Sequence, residues 1–486
     1  MEIRKKTGFF IGPIFFLGTY FAPILRENPQ AHSLLAVFLL VVSWWVTECI
    51  PIPATALLIP VLMTLLGICP VKEAFAPFAN PIIMLFLGSF VLARAMSLHG
   101  LDRKLAFSVL SLKSMAGKKR RILFAFGLIT IFLSLWISNT ATTAMMYPIA
   151  LGVLSSLTVG EGRKNTSSFS YILLLTVAYS ASIGGIGTPI GSPPNLIAIG
   201  MLEKLVNYRL TFFQWMVMGF IILIPMFLFL YLFMKFSQGE KERGEGEIKH
   251  RFRPEEKMEK GLSKAQKNVL IAFSITVTLW VTPGLVSLLW GKNALLALWF
   301  EDHIPEPAAA VIGALLLFLL PVDFKRGQFT ISLKEALRID WGTLLLFGGG
   351  LSLGFQMFNT GLAEIMGRAI ITPGSSVNLT LLTLICVSLS VLLTEVTSNT
   401  ASANMLIPII IAISRAASIN PLPPVLASAF GCSFAFMLPV ATPPNAIVYG
   451  SRMVPLTKMI KFGFWLEIVG IIIIWLCIRF VAIHVI

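Results

Sequence analysis

The chain has 486 residues, of which 56% are hydrophobic and only 13% are charged. A soluble domain typically carries about 25% charged residues, so this composition excludes a disordered chain, a fibrous repeat and an ordinary cytosolic enzyme. The charge is unbalanced, with 38 Lys and Arg against 23 Asp and Glu and a net charge of +15. Since cytoplasmic loops of membrane proteins collect Lys and Arg, this excess indicates a lipid bilayer and no nucleic-acid partner.

Long apolar runs follow one another along the chain. A membrane-spanning helix needs roughly 20 apolar residues. We therefore predict an all-α polytopic membrane protein with eleven transmembrane helices, two of them interrupted by polar residues. The runs lie near residues 8–25, 31–50, 54–69, 79–98, 170–200, 212–236, 269–290, 307–321, 341–360, 423–450 and 462–484.

Two further pairs of apolar runs are split only by the tripeptide Ser-Asn-Thr. They cover residues 122–158 and 378–418, with Ser138–Thr140 and Ser398–Thr400 at the splits. Two full crossings joined by three residues are possible. A re-entrant hairpin is the better interpretation, because backbone outside a helix is tolerated at mid-membrane depth only inside protein or beside a cavity.

The distribution of positive charge predicts the orientation. With a cytoplasmic N-terminus, 28 of the 38 Lys and Arg lie in inside segments and eight in outside segments, as the positive-inside rule requires. The first hairpin (121–158) then enters from the cytoplasm and the second (378–418) from the outside. The polar stretch 237–268 becomes a cytoplasmic linker, and the C-terminus of this cell-membrane protein lies outside.

Five short motifs recur in the same order at spacings of 250 to 262 residues. Ser-Asn-Thr recurs, and Ser192-Pro-Pro-Asn195 recurs as Thr442-Pro-Pro-Asn445. Because each half contains an odd number of spans, the second copy is inverted. The predicted domains are an extra N-terminal helix (1–30), a first inverted repeat (31–236) and a second inverted repeat (269–486). Such repeats with interrupted helices are typical of secondary transporters.

The repeated motifs carry polar groups suited to ions. Proline at a break leaves backbone carbonyl groups unpaired, and these join Ser, Thr and Asn oxygens in a set that suits a small hard cation such as Na⁺. The helix segment after each break presents free N–H groups and a positive dipole end, which suit a carboxylate or another oxyanion. The alternative is that these residues serve helix packing alone.

Two acidic residues, Glu48 and Glu395, lie deepest in the apolar runs and are functional candidates for that reason. Glu395 precedes the second Ser-Asn-Thr by three residues. It could tune a cation site, be neutral, or bond to the hairpin backbone, and the sequence leaves these alternatives open.

On these motifs the chain resembles the divalent anion/sodium symporter family, the INDY-type dicarboxylate carriers, over essentially its whole length. The resemblance implies a homodimer in which a transport domain moves as an elevator against a static scaffold domain. It implies co-transported Na⁺ and no prosthetic group.

The resemblance also implies site residues. The implied dicarboxylate site consists of Ser138, Asn139, Thr140, Ser192, Pro193, Ser398, Asn399, Thr400, Thr442 and Pro443. The implied first sodium site consists of Ser134, Ser138, Asn139 and Gly191. The implied second sodium site consists of Thr394, Thr397, Asn399 and Ala441, partly through backbone oxygens.

The leading hypothesis is therefore Na⁺-coupled symport of C4-dicarboxylates such as succinate, malate and fumarate. The nearest alternative is a sodium-independent dicarboxylate exchanger, or a carrier of citrate, glutarate or sulfate, on the same fold. The cation positions match the sodium-coupled pattern, which favours symport. An intramembrane enzyme is not expected, because the Asp and His residues lie in loops or at span ends. A channel is disfavoured by the inverted duplication.

Overall fold

A computed structural model describes residues 2–110, 119–158, 168–237, 261–291, 293–370 and 377–482. The described residues form α-helices almost throughout, with a short β-hairpin between β1 (Pro321–Asp323) and β2 (Gln328–Phe329). A 3-10 helix covers Ala76–Ala79, and π-helical turns cover Leu202–Val206 and Ile478–Ala482.

The first repeat and the segment before it contain eleven α-helices in the described residues. They are α1 (Glu2–Phe21), α2 (Pro29–Thr47), α3 (Ile52–Leu65), α4 (Val71–Phe75), α5 (Pro81–Leu98), α6 (Leu101–Leu110), α7 (Lys119–Ser134), α8 (Asn139–Thr158), α9 (Ser168–Gly185), α10 (Pro193–Met201) and α11 (Phe212–Phe236).

The second repeat contains eleven more in the described residues. They are α12 (Lys264–Trp290), α13 (Leu295–His303), α14 (Glu306–Leu319), α15 (Leu333–Ala336), α16 (Trp341–Asn359), α17 (Leu362–Ile370), α18 (Leu379–Thr394), α19 (Asn399–Ala416), α20 (Leu422–Gly431), α21 (Pro443–Gly450) and α22 (Leu456–Cys477).

Every predicted apolar run contains a helix or an interrupted helix pair, and most boundaries agree within a few residues. Helix α12 begins inside the predicted linker, because Ser263 and Gln266 form a capping box that starts the helix at Lys264. Residues 238–260 of the linker lie outside the described residues.

Six stretches in the described residues are long and apolar enough to cross a bilayer alone, with α4 and α5 counted as one. Helices α13 and α14 meet at a bend of 62° and could make a seventh. Other predicted spans are shorter or interrupted, so the number eleven and the re-entrant nature of the two hairpins stay predictions.

Helix α2 ends before Glu48. Glu48 is the C-cap, with a left-handed φ of 50° and its N–H donating to the Trp44 carbonyl. It is half-buried. The expectation that Glu48 lies deep within a span is therefore wrong, since the helix closes at Thr47 ahead of Pro51.

The repeat is visible in the packing of the helices. An ideal Cβ on Gly88 of α5 would lie 2.5 Å from the backbone of Ala310 in α14, and one on Gly349 of α16 would lie 2.6 Å from the Ala56 carbonyl in α3. These residues occupy matching positions in the repeated motifs. The two close helix pairs, α5 with α14 and α16 with α3, are thus equivalent contacts of the two halves.

This contact predicts that Gly88→Ala destabilises the protein. In a helix interior Ala is favoured over Gly by about 1 kcal/mol. At Gly88 the added methyl meets the Ala310 backbone, and such overpacking costs about 1–3 kcal/mol. Gly18→Ala is the control, because no heavy atom lies within 4 Å of an ideal Cβ there. Thermal unfolding in detergent should show a lower melting temperature for G88A alone. Equal melting temperatures would contradict the packing argument.

Candidate functional site

Each hairpin turns at a serine that caps its second arm. The Ser138 hydroxyl accepts from the Ala141 N–H at 3.3 Å, and the Ser398 hydroxyl accepts from the Ala401 N–H at 3.2 Å. Serine is a favoured N-cap because its oxygen satisfies an N–H that has no helical partner. The Ser-Asn-Thr sequence therefore ends one arm and starts the next, in the same way in both repeats.

Next to each tip, a hydroxyl, an amide oxygen and a backbone carbonyl oxygen form a cluster that has more hydrogen-bond acceptors than donors. The Ser134 hydroxyl lies 2.8 Å from Asn139 Oδ1 and 2.7 Å from the Ala181 carbonyl oxygen. In the second repeat, the Thr394 hydroxyl lies 2.7 Å from Asn399 Oδ1 and 2.9 Å from the Cys432 carbonyl oxygen. A hydroxyl has one proton for two acceptors. Each cluster therefore has lone pairs free for a hard cation.

Glycines bring the first break close to this cluster. An ideal Cβ on Gly185, the last residue of α9, would lie 2.3 Å from Asn139 Oδ1, and one on Gly191 would lie 2.9 Å from the Ser134 carbonyl oxygen. Only glycine allows such an approach. The structure thus brings Ser134, Asn139 and Gly191 of the predicted first sodium site together. At the equivalent positions the second break carries Ala435 and Ala441, both buried.

The two breaks touch each other and the hairpins. The hydroxyls of Ser192 and Ser433 lie 3.0 Å apart, although 241 residues separate them. Helix α10 packs on α19, which is an arm of the second hairpin, and α21 packs on α8 of the first hairpin. Each break therefore lies against the hairpin of the other repeat, and all four motifs converge.

The predicted substrate residues differ in accessibility. Ser138, Thr140 and Pro443 are exposed, whereas Ser192 and Thr442 are buried. The remaining predicted substrate residues are half-buried: Asn139, Pro193, Ser398, Asn399 and Thr400.

One predicted sodium ligand turns its side chain away. The Thr397 hydroxyl donates to the Trp45 carbonyl of α2 at 3.2 Å, and Thr397 is buried. Thr397 is left with only its backbone for a role at the site. Thr394 and Asn399 of the same predicted set lie together, as their hydrogen bond shows.

Glu395 bonds to the backbone of the second break. Its two carboxyl oxygens accept from the N–H groups of Met437 and Leu438, each at 2.9 Å. Glu395 is 3% exposed. At the equivalent place in the first repeat, the Leu135 carbonyl accepts from the Thr188 hydroxyl. Glu395 therefore bonds to the backbone of the second break, and not to the backbone of its own hairpin as one of the alternatives expected.

Sequence reasoning missed two charged residues here. Glu467 of α22 is 3% exposed and accepts from the Phe436 N–H at 3.0 Å, so a second carboxyl supports the same break. The signal in the sequence that could have indicated this role is that Glu467 is a single acidic residue inside an apolar run. Arg4 of α1 donates to the carbonyl oxygens of Val46 and Val396, and thus reaches the second tip. No local pattern indicates that contact, because 392 residues separate Arg4 from Val396.

The oxygen clusters consist of hydroxyl, amide and carbonyl groups. In the part of the chain that the structure describes, no three His, Cys, Asp or Glu side chains form a metal-binding group. Oxygen ligands without thiolate or imidazole suit hard cations rather than transition metals.

Comparison with known proteins identifies the family of this chain. The sequence pattern of the sodium:sulfate symporter transmembrane region matches residues 7–484. A protein of Staphylococcus saprophyticus named sodium-dependent dicarboxylate transporter is 33% identical, over 99% of this chain and 92% of its own length. An uncharacterized transporter of Haemophilus influenzae is 35% identical, over 93% of this chain and 92% of its own length.

A solved structure has a similar fold. The crystal structure of the YdaH transporter of Alcanivorax borkumensis, described as having an unusual topology, superposes with a TM-score of 0.54 at 14% identity. The similarity covers 87% of this chain and 88% of that one. It supports a mostly helical, multi-span membrane fold.

The bonds of Glu395 predict that Glu395→Gln lowers stability. The Gln amide would turn an NH₂ group towards one of the two N–H donors, and a buried donor left without a partner costs about 1–3 kcal/mol. The free energy of unfolding should fall by about that amount. The matched control is Glu364→Gln, which removes an exposed pair with Arg368 worth about 0–1 kcal/mol. Thermal melting in detergent measures both, and equal melting temperatures would refute the role of Glu395.

Proposed function

This chain belongs to the sodium:sulfate symporter family, and on that premise we propose that it is a Na⁺-coupled symporter of C4-dicarboxylates such as succinate, malate and fumarate. Members of the family are membrane transporters, so the chain is a transporter and not an enzyme. The observation that carries the proposal is the pair of equivalent oxygen clusters, each beside a polar hairpin tip and a helix break.

The oxygen clusters support sodium coupling. In each repeat, one hydroxyl proton lies between two acceptor oxygens. The hydroxyl and amide groups are those of Ser134 and Asn139 in the first repeat and of Thr394 and Asn399 in the second. A Na⁺ ion in each cluster would satisfy the surplus lone pairs. We assign the two sodium sites to these clusters, with Ser138 and Gly191 completing the first and the backbone of Thr397 and Ala441 completing the second.

The tips and the breaks support an anion site between the clusters. Helices α8, α19, α10 and α21 all begin at the converging motifs, and their free N–H groups and positive dipole ends favour a carboxylate. The exposed hydroxyls of Ser138 and Thr140 make the site accessible to an anion from water. Two carboxylates of one substrate could then engage the two pseudo-symmetric tips. The positive charge of two Na⁺ ions would offset the charge of the substrate.

The two hairpins differ in exposure, which supports an inward-facing state of an elevator mechanism. On α8, the exposed residues include Thr140, Ala141, Ala144 and Pro148. The exposed residues of α8 are small or polar, which fits a water-filled passage better than lipid. The equivalent residues of α19 are covered: Ala401, Asn404 and Pro408 are buried, and Thr400 is half-buried.

Helix α16 covers α19. Ideal Cβ atoms on Gly350 and Gly354 would lie 1.7 Å from Asn404 Oδ1 and 3.2 Å from Pro408 Cγ. Asn404 and Pro408 therefore pack against the glycine face of α16, at two successive turns of that helix. In the proposed orientation α19 leads to the outside and α8 to the cytoplasm, so the outer passage is sealed while the inner one is open.

The depth of the tips supports the same state. Arg4, whose Nη2 lies 2.8 Å from the Val396 carbonyl, is only about 3 Å along the helix axis from the start of α1. The ring centroids of Trp136, in the first tip, and Phe273 lie 5.1 Å apart. Phe273 is about 14 Å along the helix axis from the start of α12. Both tips thus lie towards the ends of α1 and α12 that we assign to the cytoplasm.

A sodium-independent exchanger, or a carrier of citrate, glutarate or sulfate, remains the second candidate. Neutral hydroxyl and amide groups bind any oxyanion, so the anion site does not distinguish these substrates. The two intact oxygen clusters favour symport over sodium-independent exchange. The homodimer also stays a proposal, based on the resemblance of the motifs.

Uptake by proteoliposomes tests the proposed function. Labelled succinate should accumulate with an inward Na⁺ gradient, and Asn139→Ala or Asn399→Ala should abolish accumulation because each removes the Oδ1 of one cluster. A panel of unlabelled malate, fumarate, citrate, glutarate and sulfate then competes with succinate. Equal uptake with K⁺ alone would exclude symport, and stronger competition by sulfate or citrate would reassign the substrate.

Thiol labelling tests the inward-facing state. Two variants are made in a protein whose five native cysteines are replaced. Ala141→Cys places a single thiol in the first repeat, and Ala401→Cys places a single thiol at the equivalent position of the second. A water-soluble maleimide should label A141C at least about tenfold faster than A401C, because the first position is exposed and the second is buried. Equal rates would contradict the assignment of the open passage. Denatured samples of both variants provide the reference for complete labelling.

A further inference from the structure

One asparagine in each break has a role that the transport scheme above leaves unassigned. Asn195 and Asn445 follow the two prolines of each break and are fully buried. Asn195 Nδ2 donates to the Gly185 carbonyl at 2.9 Å and to the Thr188 carbonyl at 2.8 Å. Both bonds close the interrupted segment onto the start of α10.

The second repeat contains the same arrangement. Asn445 Nδ2 donates to the Ala435 carbonyl at 3.1 Å and to the Leu438 carbonyl at 3.0 Å. In both repeats the acceptors lie ten and seven residues before the asparagine. Because all four acceptors are carbonyl oxygens, only the nitrogen of the amide can face them.

The other half of each amide is left without a partner. Oδ1 of Asn195 and Oδ1 of Asn445 are buried and accept no hydrogen bond from the residues that the structure describes. A buried acceptor without a donor is unfavourable. An apolar side chain would avoid that cost, so the two Nδ2 donors are the reason for an asparagine at both positions.

In the first repeat, one of the carbonyl groups held in this way adjoins the oxygen cluster. Gly185 is the residue whose Cα faces Asn139 Oδ1, and an ideal Cβ on Gly191 would lie 2.6 Å from the Gly185 carbonyl oxygen. A shift of Gly185 would therefore change the distances among Asn139, Gly191 and Ser134. Asn195 holds Gly185 without being one of the proposed sodium ligands.

We propose that Asn195 and Asn445 are positioning residues that set the Na⁺ affinity of the two clusters by holding the carbonyl groups of the breaks in place. This inference rests on the proposed sodium coupling and names the groups that tune it. Loss of an outer-shell hydrogen bond around a metal site typically costs about 10–100-fold in affinity. The effect should appear in the Na⁺ dependence more than in the succinate KM at saturating Na⁺.

The test uses the purified full-length protein in detergent. An ion that binds only the folded state raises the melting temperature as its concentration rises. Asn195→Ala and Asn445→Ala should each raise the Na⁺ concentration needed for half of this stabilisation by about tenfold. Asn195→Leu and Asn445→Leu keep a similar side-chain volume but lose both donors, and should show the same shift. The same shift should appear in Na⁺-dependent uptake.

The matched control is Asn268→Ala. Asn268 is also buried, and its Nδ2 also reaches backbone carbonyls, those of Leu320 and Pro321, but in the region of the β-hairpin. N268A should lower the melting temperature while leaving the Na⁺ dependence within about twofold of the wild type. Where an alanine variant does not fold, Asn195→Ser or Asn445→Ser, which keeps one donor, should show a smaller shift in the same direction.

The outcomes separate the inference from the proposed function. Wild-type protein without any Na⁺ stabilisation would contradict sodium coupling itself. Wild-type protein with Na⁺ stabilisation, together with unchanged Na⁺ dependence in the folded Asn195 and Asn445 variants, would overturn the positioning role alone. An equal shift in N268A would also overturn it, because general loss of stability would then explain the effect.

Discussion

Each interrupted helix leaves backbone N–H and carbonyl groups without helical partners inside an apolar molecule, and the rest of the structure depends on how they are satisfied. An unpaired polar group in hydrocarbon costs several kcal/mol. The protein meets most of this need with its own side chains: Glu395 and Glu467 accept N–H groups, and two asparagines donate to carbonyls. In each oxygen cluster, lone pairs remain that are available to ions.

The two repeats have equivalent oxygen clusters but differ in how their breaks and hairpins are packed. The hydroxyl, amide and carbonyl of each cluster coincide in number and distance. Among the residues that the structure describes, carboxyl groups bond to the second break and not to the first, and α16 packs on α19 of the second hairpin. In the proposed inward-facing state, this asymmetry of packing leaves the inner passage open and the outer passage sealed.

Much of this could be predicted from the sequence. The apolar runs predict the helices closely, because length and hydropathy are local properties, and the repeated motifs predict both the family and the converging breaks. Contacts between distant segments could not be predicted. The bonds of Arg4 to Val396 and of Thr397 to Trp45 join residues more than 350 positions apart. Glu48 was misplaced because an apolar run does not reveal where a left-handed residue ends the helix.

The long reach of the site contacts has a consequence for biosynthesis. Ser192 meets Ser433, and the Tyr179 hydroxyl donates to the Phe436 carbonyl at 3.0 Å, across 241 and 257 residues. The first repeat leaves the ribosome long before these partners exist. Its polar tip and break are therefore synthesised before their final neighbours are present. A half-length product would carry the oxygen cluster of its own repeat but only half of the proposed anion site.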